Sequence, residues 1–210
     1  MTESLLRERM AIFGKSLYDR GYLHGSSGNL SVRLEDGFLV TPTNSCLGFL
    51  DPGAIAKLDL SGRHLSGDKP SKEAFLHVSV YQARSNSQAV VHSHSTHSVA
   101  LSCLQAADPT DLLPPITAYG VMKIGKLPLV PYYRPGDPAL AAAVQETATD
   151  HSAVLLANHG PVVAGRSLED AIWALEELEE TAKLHFLLEG RPTRLLTAAQ
   201  IGELNRVFPS

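Results

Sequence analysis

Residues 29–43, NLSVRLEDGFLVTPT, put Leu30, Val32 and Leu34 on alternate positions and follow them with Asp36–Gly37. Period-two alternation marks a half-buried strand, and Asp-Gly is a strong hairpin signal because type I′ turns need positive φ at both central positions. A hairpin makes neighbouring strands antiparallel, which excludes the all-parallel sheet of a doubly wound nucleotide-binding fold. In agreement, no G-x-G-x-x-G follows a strand and no Walker sequence occurs.

The remaining segments mix helix and strand without a βαβ rhythm. The first 20 residues carry Leu6, Met10, Phe13 and Leu17 at helical spacing. A helix is expected near 53–57, a strand at AKLDL, and a helix over 71–84 with Ser71 as N-cap. QAVVHS and SAVLLANHG read as buried strands, and THSVALSCL as a helix. Residues 114–138 are rich in Pro and Tyr and read as short strands and loops, up to a helix start at Asp137–Pro138. Ser167 with Asp170, and Thr197 with Gln200, have capping-box spacing ahead of a long Glu-rich helix and a short last one. No repeat or linker-like tract interrupts the 210 residues, so a single domain spanning 1–210 is expected, an α/β layered one with a mixed sheet.

The formal net charge of −4 gives no basic field for nucleic acid or anionic membrane, and no apolar run reaches the roughly 18 residues of a membrane span. The N-terminus mixes charges and lacks a secretory apolar core. Cys46 and Cys103 form no C-x-x-C pair and are expected to be free, buried thiols. A cytoplasmic protein is the expectation.

VVHSHSTHS, residues 90–98, concentrates three histidines. On a strand, residues i and i+2 share a face, so His92 and His94 would project together as a half-site for Zn²⁺ or a similar cation. His159 in LLANHGP can add a third nitrogen, and Glu73 in KPSKEAFLH an oxygen. Spacing alone leaves the pair equally consistent with packed, hydrogen-bonded imidazoles, the reading given to His77, His97, His151 and His185. GSSGN (25–29), TPTNS (41–45) and KPSKE (69–73) are polar loops of the kind whose backbone N–H groups cradle anions, with Lys72 adding charge; any one of them alone is more often just a turn.

Taken in order, GSSGNLSVR, TPTN, PSKE, VVHSHS and ANHGPVVAG resemble the class II aldolase/adducin family over nearly the whole chain. The resemblance implies a three-layer α/β/α domain around a mixed, largely antiparallel sheet. It implies one Zn²⁺ per subunit, or another divalent metal, on His92, His94, His159 and Glu73, with Glu73 also the acid/base. It implies phosphate held by Gly28, Asn29, Thr43, Asn44, Ser71 and Lys72, and a homotetramer in which Tyr119 of a neighbouring subunit donates a proton. Lys72 stands where the family has a small polar residue. Glu73 stands where the epimerases have Asp, and the retained histidines separate the chain from the metal-free adducin scaffold.

Within the family, TPTNSCLGFLDP, LSGDKPSKEAFLH, HSTHSVALSCL, VPYYRPGDP and EELEETAKLHFLLEG resemble the 3-oxo-tetronate 4-phosphate decarboxylases. That likeness implies a lyase of sugar-acid catabolism that releases CO2 and dihydroxyacetone phosphate through a metal-stabilised enediolate. The alternative is an aldolase cleaving a sugar phosphate such as fuculose 1-phosphate to dihydroxyacetone phosphate and an aldehyde.

Overall fold

The computed structural model describes residues 1–105, 108–134 and 136–208. The alternating stretch forms β1 (Asn29–Arg33) and β2 (Gly37–Val40), antiparallel, with Val32 opposite Leu39. They join β3 (Ala56–Asp59), β4 (His64–Ser66), β5 (Ala89–His92), β6 (Leu129–Val130), β7 (Ala153–Leu156) and β8 (Gly160–Gly165) in an eight-stranded sheet of order β4-β3-β2-β1-β5-β8-β7-β6. Every neighbouring pair is antiparallel except β6 with β7. The sheet is therefore mixed and largely antiparallel.

Alternation along the strands sends successive side chains to two separate cores. Leu30, Val32, Val91, Leu155 and Val163 meet Met10 and Leu17 of α1 (Glu3–Asp19) and Ile172, Leu175 and Leu178 of α6 (Leu168–Leu188). Phe38, Val40, Val90, Val154 and Val162 meet Leu76 and Val80 of α2 (Ala74–Ala83) and Leu140 and Val144 of α5 (Pro138–Ala148). Each such buried aliphatic side chain contributes about 1.5–3 kcal/mol, so both faces of the sheet have to be covered, and three layers result. The helices α3 (Thr96–Ser102), α4 (Ala118–Lys123) and α7 (Ala198–Val207) complete the structure.

Four expectations need correction. The helix expected near 53–57 is a single 3-10 turn, Pro52–Ala54, because Ala56 already pairs with Val40 in the sheet. The second helix begins at Ala74, with Glu73 rather than Ser71 at its N-cap; the Ser71 hydroxyl instead accepts the Glu73 N–H at 3.2 Å. The 114–138 segment, of which Pro135 lies outside the described residues, contains α4, started by the Thr117 hydroxyl accepting from the Gly120 N–H and packed against α6. The two thiols are free but not buried: Cys46 is half-buried and Cys103 exposed. The caps at Asp137, Ser167 and Thr197 form as expected, the last as a reciprocal box with Gln200. Among the described residues, no helix is long and apolar enough to cross a membrane.

Candidate metal centre

Three segments converge at one end of the central strands. β5 ends at His92, which lies opposite Asn29 of β1 and Val162 of β8. His94 is already off the strand, in the two-residue link to the α3 N-cap Ser95, so local chain path rather than strand alternation brings it back beside His92. His159 sits in the tight β7–β8 turn, where Asn158 takes φ 56° and Ser102 of α3 pins the backbone, its carbonyl accepting from the Asn158 N–H and its hydroxyl from the His159 N–H. Glycine is required at two approaches. A Cβ on Gly160 would lie 2.3 Å from the Ser93 carbonyl oxygen, and one on Gly28, at φ +76°, would lie 2.8 Å from that of His92.

Glu73, His92, His94 and His159 present four ligand atoms within 4.8 Å of one another. Glu73 Oε1 lies 3.1 Å from His159 Nε2, and the Nε2 atoms of His92 and His94 are 3.0 Å apart. His92 Nδ1 bonds the Pro161 carbonyl at 2.8 Å and must donate there, which leaves Nε2 with a lone pair pointing into the cluster. That lone pair faces Glu73 Oε2 at 3.5 Å. Two electron-pair donors facing each other across a buried gap repel unless a cation lies between them, so these residues fit a metal.

Their charge states agree. Burial is the largest influence on His92 and pushes it down to about 4; it lowers His94 as well, with His159 adding to the effect. Both imidazoles are thus neutral, as ligands must be. Burial works against a charge on Glu73, but the hydrogen bond from His159, the neighbouring imidazoles and the Asn29 amide outweigh it and hold the carboxyl well below the usual range. One carboxylate and three imidazoles form an oxygen–nitrogen set suited to a divalent cation.

The cluster opens onto a cavity of about 360 Å³ lined by Gly28, Asn29, Thr43, Asn44, Ser71, Lys72, Glu73 and His94. The loops are tied together: Thr43 N–H donates to Lys69 O at 2.9 Å, and Ser71 N–H to Thr41 O at 3.1 Å. All six residues expected at the phosphate therefore line the same cavity as two of the metal-cluster residues. Asn29 does so with much of its amide committed, since Nδ2 donates to Glu73 Oε2 at 2.8 Å and Oδ1 bonds His77.

This arrangement has known counterparts. The class II aldolase and adducin N-terminal domain family matches residues 8–186. The chain belongs to the class II aldolase and adducin family. A 3-oxo-tetronate 4-phosphate decarboxylase of Escherichia coli K12 is 55% identical over 203 residues, 96% of each chain. The crystal structure of YgbL from Escherichia coli superposes with a TM-score of 0.94 at 53% identity, covering 96% of this chain and 98% of that one. An L-fuculose 1-phosphate aldolase superposes at 0.88 with 27% identity, covering 100% and 99%. The mixed α/β sheet structure is the class II aldolase fold.

Tyr119 and the remaining histidines lie outside the cluster. Tyr119 lies on α4, 66% exposed, and is not among the residues that line the cavity. His97 bonds Glu179 at 2.9 Å and stays outside the cluster, as do His77, His151 and His185. Two residues escaped the sequence reading of the site. Glu179, one of the glutamates of the long Glu-rich helix, is buried and accepts the N–H groups of His97 and Ser98, both at 2.8 Å, which caps α3. His77 is fully buried one helical turn after Glu73, a spacing that could have pointed to it.

Proposed function

We propose that this chain is a zinc-dependent lyase that converts a 3-oxo-tetronate 4-phosphate into dihydroxyacetone phosphate and CO2. The observation that carries the reading is the convergence of Glu73, His92, His94 and His159 beside a cavity that Glu73 and His94 line together with hydroxyls, amides, a glycine turn and Lys72. The name and 55% identity of the Escherichia coli relative support the substrate.

The reaction breaks the C1–C2 bond of a β-keto acid. C1 leaves as CO2, the electron pair passes to C2 and the C3 carbonyl oxygen, and a proton added at C2 gives the product. His92, His94, His159 and Glu73 would hold the metal. A bound divalent cation supplies a Lewis acid for the substrate's carbonyl and neighbouring hydroxyl oxygens. Glu73, at the wall between cluster and cavity, holds and moves the proton for C2. Gly28, Asn29, Thr43, Asn44, Ser71 and Lys72 hold the phosphate, and the Lys72 ammonium adds an attraction that the polar loops lack. Tyr119 acts from a neighbouring subunit of a cytoplasmic homotetramer, each subunit a single domain.

The test is to incubate zinc-loaded protein with 3-oxo-tetronate 4-phosphate and follow both products. Equal amounts of CO2 and dihydroxyacetone phosphate, abolished by chelation, are expected. No turnover by folded, zinc-replete protein would discard the decarboxylase and leave aldol cleavage of a sugar phosphate as the activity to assay.

A further inference from the structure

Behind the metal cluster runs a chain of buried polar groups that starts at Asn29 and, beyond it, has no part in the proposed chemistry. Asn29 Nδ2 bonds Glu73 Oε2, Asn29 Oδ1 lies 2.5 Å from His77 Nε2, His77 Nδ1 is 2.7 Å from Ser31 Oγ, and Ser31 Oγ is 2.8 Å from Tyr81 Oη. Asn29, Ser31, His77 and Tyr81 are all at most 3% exposed. The chain joins β1 to α2 in the core, and Tyr81 is stacked on Phe38 with ring centroids 4.7 Å apart.

Its polarity is determined by one end. A carboxylate can only accept, so Asn29 must turn its NH2 toward Glu73 and its oxygen toward His77. His77 must then carry its proton on Nε2, which leaves Nδ1 to accept from the Ser31 hydroxyl. Ser31 in turn accepts from the Tyr81 O–H. Every group is satisfied in one direction only. Burial, the largest influence on each, pushes His77 down to about 3 and raises Tyr81, so both ring systems are neutral as the scheme needs.

We infer that His77 is a positioning residue for the metal site: by holding the Asn29 amide in one orientation, it fixes the rotamer of the Glu73 carboxylate. Released from His77, the Asn29 amide can rotate and present Oδ1 to the carboxylate, which repels it and turns it away from His92 and His159. The inference rests on the reading of Glu73 as metal ligand and proton carrier. It concerns a residue that never touches metal or substrate. Loss of such a supporting partner typically costs roughly 10- to 100-fold in metal affinity or activity.

The experiment measures Co²⁺ affinity and the visible Co²⁺ spectrum of the full-length protein with His77→Phe, His77→Gln and Ser31→Ala, alongside kcat and KM. His77→Phe keeps the ring volume but removes both hydrogen bonds. It is expected to weaken Co²⁺ binding by about 10- to 100-fold, alter the spectrum and lower kcat more than it raises KM. His77→Gln, which keeps a donor for Asn29, should recover most of the affinity. A merely structural role would lower the melting temperature while leaving the affinity of the folded protein unchanged. Folded His77→Phe within about twofold of wild-type Co²⁺ affinity overturns the inference. Should that variant not fold, Ser31→Ala decides by the same twofold criterion. Wild-type protein that binds Co²⁺ but lacks decarboxylase activity would fail the proposed reaction and leave the His77 result readable.

Discussion

At the scale of single residues, the site is a set of lone pairs aimed inward by their neighbours. The Pro161 carbonyl fixes the His92 tautomer, and Asn29 fixes one oxygen of Glu73. Replacing His92 or His94 by Ala should abolish stoichiometric metal binding, measured by elemental analysis of folded protein; a full complement of metal would remove that residue from the ligand set. Glu73→Gln should keep binding of a phosphorylated substrate analogue while turnover falls by about 10²- to 10⁴-fold, the usual worth of a positioned proton carrier. Near-normal turnover would take Glu73 out of that role. Residue type and spacing made His92, His94, His159 and Glu73 candidates but left packed imidazoles an equal reading; the resemblance to the family is what selected them. His77 was harder to read: an isolated histidine in a helix looks like any packed imidazole until its partners on β1 are seen. Only the hydrogen bonds across 46 and 48 residues of chain reveal its direction.

At the scale of elements, the sequence reading succeeded where periodicity is local and failed where a partner decides. The hairpin of β1 and β2, the strands β5 and β7 and the caps at Asp137, Ser167 and Thr197 follow from alternation and side-chain chemistry within a few residues. The short α4 did not, since a Gly- and Val-containing hexamer has little helical preference of its own and is held by packing on α6. Glu179 illustrates the same limit, because the nearby Glu176, Glu177 and Glu180 are half-buried or exposed while its own buried carboxylate satisfies the first N–H groups of α3. α3 leads directly from His94 and ends at Ser102, which pins the His159 turn. Glu179→Ala should therefore destabilise the protein by about 1.5–3 kcal/mol, the range for hydrogen bonds to a charged group, read as a lowered urea midpoint. A midpoint matching wild type would mean that water replaces the carboxylate at no cost.

At the scale of the whole molecule, the buried neutral histidines couple folding to acidity. His77 and His92 have folded values near 3 and 4 against an ordinary 6.5, so between those limits the unfolded chain binds more protons than the folded one. Stability is then full above about pH 6.5 and falls as the pH drops through that window, at up to about 1.4 kcal/mol per unit for each group. Urea unfolding of metal-free protein at about pH 7.5 and about pH 5 should show the lower midpoint in acid; equal midpoints would mean that these imidazoles titrate normally. The central strands have a further consequence. His92 takes its backbone partner from a segment 69 residues away, and Asn29 and His77 meet across 48. Contacts so distant along the chain form only after the loops between them have closed, which makes their assembly a late event in folding. Uptake of a cation by newly made chains would thus act as a clock for the closure of β1, β5 and β8, rising only as the last long-range pairings are made.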